Sequence, residues 1–188
     1  MGMGNLLATF LRLITFKAAR SEKILSSDDL SMEYNINHEG IRIFGALCQF
    51  LWFQGDPLPL IFDVENEIYT KQGITLAILK RLEANGLIDF DTTGFVKKGL
   101  GKHTRLFYCG KPTKIGFQKD ANNYLDLGHV LLTERGKKLA SAFKVTRNQQ
   151  FYEYVIGRWF QQGLVLSSIQ LDRNQKTGFV DGACSIKE

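Results

Sequence analysis

Cysteine, proline and histidine are scarce: the 188 residues hold three of each. Cys48, Cys109 and Cys184 are odd in number, widely spaced and form no C-x-x-C pair, which leaves no disulfide framework and no cysteine zinc site to propose. The expected compartment is therefore reducing, the cytoplasm. His38, His103 and His129 are scattered without ligand-like spacing. His103, Cys109 and His129 could meet in a sheet, but nearby strand residues do so without binding metal. No G-x-S-x-G elbow is present.

Phosphate loops are missing too. The stretch "KKGLGKHT", Lys97 to Thr104, is glycine-rich and basic, yet Gly101-Lys102 is followed by His103 and Val96 stands where the first glycine of G-x-x-x-x-G-K-[ST] is needed. The dinucleotide fingerprint fails at Thr104, which follows Gly99-x-Gly101 where a third glycine belongs. No catalytic residue, metal or cofactor is expected, and binding is what remains. Asp63, Glu65 and Glu67 are an acidic cluster at the start of a helix, where the positive end of the helix dipole accounts for them.

A long uncharged apolar run is also lacking. "MGMGNLLATFLRLITFKAAR" has no basic leader and is interrupted by Arg12, so it reads as an amphipathic helix, with Leu7, Phe10, Leu11 and Ile14 at helical spacing, and not as an export signal or a membrane span. Leu6 occupies the position where myristoylation of Gly2 would want Ser or Thr. No membrane partner is expected.

What is present is an ordinary globular composition, 44% apolar and 23% charged, with basic residues gathered in one place. Lys97, Lys98, Lys102, Arg105, Lys111, Lys114 and Lys119 fall in 23 residues without a single Asp or Glu. Outside that segment, 17 of the 24 basic residues face all 19 acidic ones, so the net charge of +5 belongs to this segment alone. Such a patch is the footprint of a polyanion site. A solvated hairpin that carries lysines for solubility and to blunt its edges would look the same.

Periodicity divides the chain as follows. "SEKILSSDDLSMEYN" is polar and aperiodic and reads as a linker. "HEGIRIFGALCQFLWFQG" reads as one buried helix stopped by Gly55, and "PLPLIFD" as an edge strand. A short helix over about 64–72 ends at Gly73, and a second begins at Ile74 or Thr75, turns Ile78, Leu79 and Leu82 inward and ends at Asn85-Gly86. Two helices joined by such a turn and followed by a strand form a helix-turn-helix opening onto a hairpin. Strands are predicted in "LIDFDTTGFVKK", "HTRLFYCG", "TKIGFQKD" and "LDLGHVLLT", with Gly99, Gly101, Gly110 and Pro112 at turns. Thr133 caps "ERGKKLASAFK". A helix over 149–162 with Phe151, Tyr154, Val155, Trp159 and Phe160, a strand "GLVLSSIQL" and a polar tail complete the chain.

The segments "ILKRLEANGLI" and "LLTERGKKLA" carry the pattern in which a helix closes with L-x-x-x-G-L-I and the sheet returns into L-T-x-x-G-x-x-L. In this the chain resembles the winged-helix superfamily over roughly residues 38–145, with a much longer wing, Asp89 to Val130. With "FYEYVIGRWFQQGL" added, it is similar to an uncharacterised bacterial family ending in such a domain. The expected fold is α+β, a winged helix-turn-helix with an enlarged β wing, divided as residues 1–35 (amphipathic helix and linker), 36–148 (winged helix) and 149–188 (helix, strand and tail).

The function expected is that of a non-enzymatic nucleic-acid-binding protein, with double-stranded DNA as partner. The second helix supplies Thr75, Lys80 and Arg81. The wing supplies Lys97, Lys98, Lys102, His103, Arg105, Lys111 and Lys114 to phosphates. Base readout is limited, because no Asn, Gln or Arg occupies the first turn of that helix. The other reading is a protein-interaction module, a homodimer or a partner complex made through the N-terminal helix and the aromatic C-terminal helix.

Overall fold

The computed structural model describes residues 26–168 and 183–185, so the amphipathic stretch predicted near the N-terminus lies outside the described residues. The fold is mixed α+β, with antiparallel sheets. Its first described element, α1 (Ser27–Tyr34), stands where the sequence reads as linker. The signal is a capping box: the Ser26 hydroxyl accepts from Asp29 N, and the Asp29 carboxylate accepts from Ser26 N at 3.0 Å. Local end-chemistry specifies this helix where periodicity is silent, and Leu30 and Ile36 anchor it in the core.

Helix α2 (His38–Cys48), capped by Asn37, buries Ile41, Phe44 and Leu47. It stops seven residues before Gly55. Leu51–Gln54 form strand β1, which turns at Gly55 (φ 79°) into β2 (Asp56–Pro59). Phe50, Leu51 and Trp52 are all buried, and a run that is apolar on every side fits a buried helix or a buried strand equally well. Pairing with β2, whose prolines sit at the sheet edge, decides for the strand.

The two helices read from residues 64–85 are present. Helix α3 (Glu67–Thr70) is shorter than expected, Gly73 takes φ 79°, and Thr75 caps α4 (Leu76–Ala84) by accepting from Ile78 N. Strands β3 (Ile88–Leu100), β4 (His103–Tyr108), β5 (Lys111–Gly116) and β6 (Asn123–Leu132) follow. Pro112 lies within β5, and the β4–β5 turn is Cys109-Gly110, both at positive φ. Thr133 caps α5 (Glu134–Ala140), which leads through β7 (Lys144–Thr146), α6 (Gln149–Gln161) and β8 (Val165–Ser168) to β9 (Ala183–Ser185).

The strands do not form one long wing. β3 pairs with β6, whereas β4 and β5 leave that pair and enter a five-stranded sheet in the order β2-β1-β4-β5-β8. "KKGLGKHT" is thus the corner where the chain passes from one sheet to the other and not a hairpin tip. The physical reason is the inner face of β4: Leu106 and Tyr108 are fully buried, and a solvated wing could not cover them.

The two sequence segments that carry the winged-helix likeness touch. Thr133 N donates to Leu87 O (3.1 Å) and its hydroxyl to Gly86 O (2.8 Å). A Cβ on Gly136 would lie 2.0 Å from Leu87 O, so only glycine lets α5 start this close to the end of α4.

One hydrophobic core joins all of this, and α6 is part of it. Phe151, Val155 and Trp159 are buried, Tyr154 is half-buried, and Phe160 points to solvent. Trp52 lies parallel to Tyr108 at 5.1 Å and edge-on to Trp159 at 5.0 Å, which fastens the sheet to α6. Tyr108 adds a polar tie, donating to Gln49 O (2.9 Å) and accepting from Asn148 N (3.0 Å). Tyr108→Phe keeps the ring and strands both groups, so urea unfolding should report a loss of about 1–2 kcal/mol.

Candidate nucleic-acid interface

Helix α4 presents Leu76, Ala77, Lys80, Arg81 and Ala84 to solvent. Leu76, at its tip, is 51% exposed. Its cations are engaged within the protein. Lys80 pairs with Glu83 at 3.2 Å and lies over the Phe90 ring. Arg81 reaches Glu39 through both terminal nitrogens, at 3.4 and 3.2 Å, and this hydrogen-bonded guanidinium holds the Glu39 carboxyl below its ordinary range. Thr75 is occupied as the cap. The face that would enter a groove therefore offers Leu76 and Ala77 where donors that read bases are needed. Beside it an open cleft of about 520 Å³ is lined by Val64, Thr70, Leu76, Phe90, Thr92 and His129.

The basic segment is distributed differently. Lys97 is half-buried and Lys98 exposed near the end of β3. Lys102, at the corner, pairs with Asp120 at 2.9 Å and donates to Gln118 O at 3.2 Å, so its charge is offset and its side chain tied to the protein. His103 and Arg105 point outward from β4, on the face opposite Leu106 and Tyr108. Lys114 of β5 stands directly across from Arg105, and Ser167 of β8 directly across from Lys114. Lys111 is exposed where β5 leaves the turn.

Among the described residues, Lys97, Lys98, Arg105, Lys111 and Lys114 form no ion pair. Like charges directly opposite on neighbouring strands oppose folding by some tenths of a kcal/mol. The Arg105–Lys114 juxtaposition is thus a mild repulsion, which a bound anion would relieve. Lys102 and Arg105, three residues apart in the sequence, end in opposite situations, one paired with Asp120 and the other without an ion pair among the described residues.

His103 opens β4, Cys109 lies in the turn after that strand, and His129 lies in β6 of the other sheet. Among the described residues no group of three His, Cys, Asp or Glu is arranged to hold a metal ion, and no helix is long and apolar enough to cross a membrane.

Sequence reasoning missed two aromatic residues at this surface. Phe107 shares the outward face with His103 and Arg105, is 40% exposed, and faces Phe53 of β1 directly across the ladder. The alternation of "HTRLFY" carried the signal for Phe107; the pairing with Phe53 had none in the sequence.

None of the family models, curated proteins or solved structures compared with this chain matches it.

Proposed function

We propose that this protein is a non-enzymatic, cytoplasmic nucleic-acid-binding protein of winged-helix type, whose β-strand cations meet the phosphate backbone and whose second helix contributes little base reading. The observation that carries this reading is the set of five cations on β3, β4 and β5 without described carboxylate partners, with Arg105 and Lys114 side by side. The winged-helix likeness supports it and implies duplex DNA as a ligand. Lys80, Arg81 and Lys102, already paired within the protein, contribute less than their number would imply.

The test is fluorescence anisotropy with labelled duplex and single-stranded DNA and RNA over a salt titration. Each phosphate contact contributes about 0.7–0.9 to the slope of log affinity against log salt. Removing two cations in Arg105→Ala/Lys114→Ala should make that slope shallower by about 1.5 and weaken binding throughout. Absence of binding to any nucleic acid at low salt would overturn the reading.

A second reading, a protein-interaction module, is favoured by one feature. An open apolar groove of about 800 Å³ runs between α6 and β8, flanked by Phe160 (73% exposed) and Val165 (70% exposed). Pull-down of a partner lost on Phe160→Asp, with no nucleic-acid binding, would establish it.

A further inference from the structure

The outward face of the five-stranded sheet is built from paired rows. Pro57, Phe53 and Phe107 form an apolar row across β2, β1 and β4 that ends against the buried Pro112 of β5. Next to it Arg105, Lys114 and Ser167 form a cationic and polar row. Beyond that, His103 and Val165 flank Gly116, where a Cβ would stand 3.3 Å from the His103 ring and 3.5 Å from Val165. None of these outward positions is Asp or Glu.

We infer that this face is a stacking platform for single-stranded nucleic acid, with a base on the Phe107 ring beside Phe53 and the strand's phosphates on Arg105 and Lys114. The inference rests on the nucleic-acid reading and adds a single strand to the duplex as a ligand of the same cations. Charge complementarity selects a polyanion over an apolar occupant, because an apolar partner would bury Arg105 and Lys114 without counter-ions. The ring selects a single strand. In a duplex the base faces are already stacked on one another, whereas an unpaired base has a free face for an aromatic side chain. Outward residues two apart on one strand lie about 6.8 Å from each other and neighbouring strands about 4.8 Å, so the Phe107 ring and the cations of the next row are within the span of one or two nucleotides.

The test uses the full chain and two fluorescein-labelled probes, a 20-nucleotide oligo(dT) and a mixed-sequence 20-base-pair duplex. Phe107→Ala is expected to weaken oligo(dT) binding roughly tenfold or more while leaving its salt slope unchanged, because the lost contact is stacking and not charge. Duplex binding should change less than twofold. Phe107→Trp, which keeps an aromatic face, should retain oligo(dT) affinity, and this guards against an effect of misfolding. Arg105→Ala/Lys114→Ala should weaken both probes and lower both slopes.

If Phe107→Ala binds oligo(dT) as the parent does while the cation variant loses binding, the platform is overturned and the nucleic-acid reading stands. If neither probe binds at low salt, both fall. A face covered by a second copy would appear as a halved sedimentation mass in Phe107→Ala, and that too would overturn the platform.

Discussion

Gly128→Ala is expected to lower stability by about 3 kcal/mol or more, and in urea the variant should unfold at a far lower midpoint or fail to accumulate as folded protein. Gly128 lies in β6 at φ 79°, where a side chain costs about 1–2 kcal/mol by backbone strain alone. Strain is the smaller part. A Cβ at this position would stand 2.2 Å from Ile61 O and 2.6 Å from Ile61 C, both backbone atoms that cannot rotate aside. Relief requires β6 to withdraw from the chain at Ile61, which breaks the bond from His129 N to Ile61 O (2.8 Å) and leaves two groups unsatisfied beside the fully buried Ile61. Gly73→Ala is the control, since Gly73 has the same φ of 79° and nothing within 4 Å of a new Cβ. It should show the strain cost alone. Equal losses in the two variants would mean that the approach of β6 to Ile61 constrains nothing.

Trp52→Ala should cost about 3–5 kcal/mol, the range for removing a large buried aromatic side chain. The Trp52 ring is fully buried and contacts Tyr108, Tyr152 and Trp159 with centroids 5.1, 5.7 and 5.0 Å away. Its loss opens a cavity between the five-stranded sheet and α6, so near-ultraviolet circular dichroism should fall with the unfolding midpoint. Trp52→Phe should be much milder, within about 1–2 kcal/mol. Phenylalanine retains part of the stack, and it removes an indole N–H that is buried and has no hydrogen-bond partner among the described residues. Calorimetric or urea data placing the two variants together would argue against ring packing as the source of the effect.

These two positions bear on the candidate interface through the sheets that carry it. Trp52 and Tyr108 form the inner side of the same strands whose outer side holds Phe53, Phe107 and Arg105. Burial of one face fixes the other, because successive strand residues alternate and a shift of one residue would exchange them. The basic surface therefore owes its order to the aromatic core behind it.

Much of the local structure was readable from the residues alone. The start of α4 near Ile74 or Thr75, its stop at Asn85-Gly86, the cap at Thr133 and the existence of β3, β4, β5 and β6 follow from signals confined to a few neighbouring residues. So does the alternation that sets Arg105 and Phe107 opposite Leu106 and Tyr108. The concentration of charge in residues 97–119 is likewise a property of composition, visible without coordinates. The capping box at Ser26 belongs with these signals, although no hydrophobic periodicity accompanies it.

Tertiary packing decided the rest. Whether Leu51–Gln54 continued a helix or paired as a strand depended on β2 and β4, and the apolar run itself favoured neither. The departure of β4 and β5 from the β3–β6 pair followed from the need to bury Leu106, Tyr108 and Ile115 in the core, where Tyr108 meets Phe151 and Tyr152 of α6, residues far away in sequence. The same long-range choice set Lys102 against Asp120 and Arg81 against Glu39, leaving Arg105 and Lys114 as open cations beside Phe107. Local dihedral and capping preferences act over a few residues and are written in order along the chain. Strand partners and ion pairs are chosen by which distant surfaces the core brings together, and no neighbouring residue records that choice.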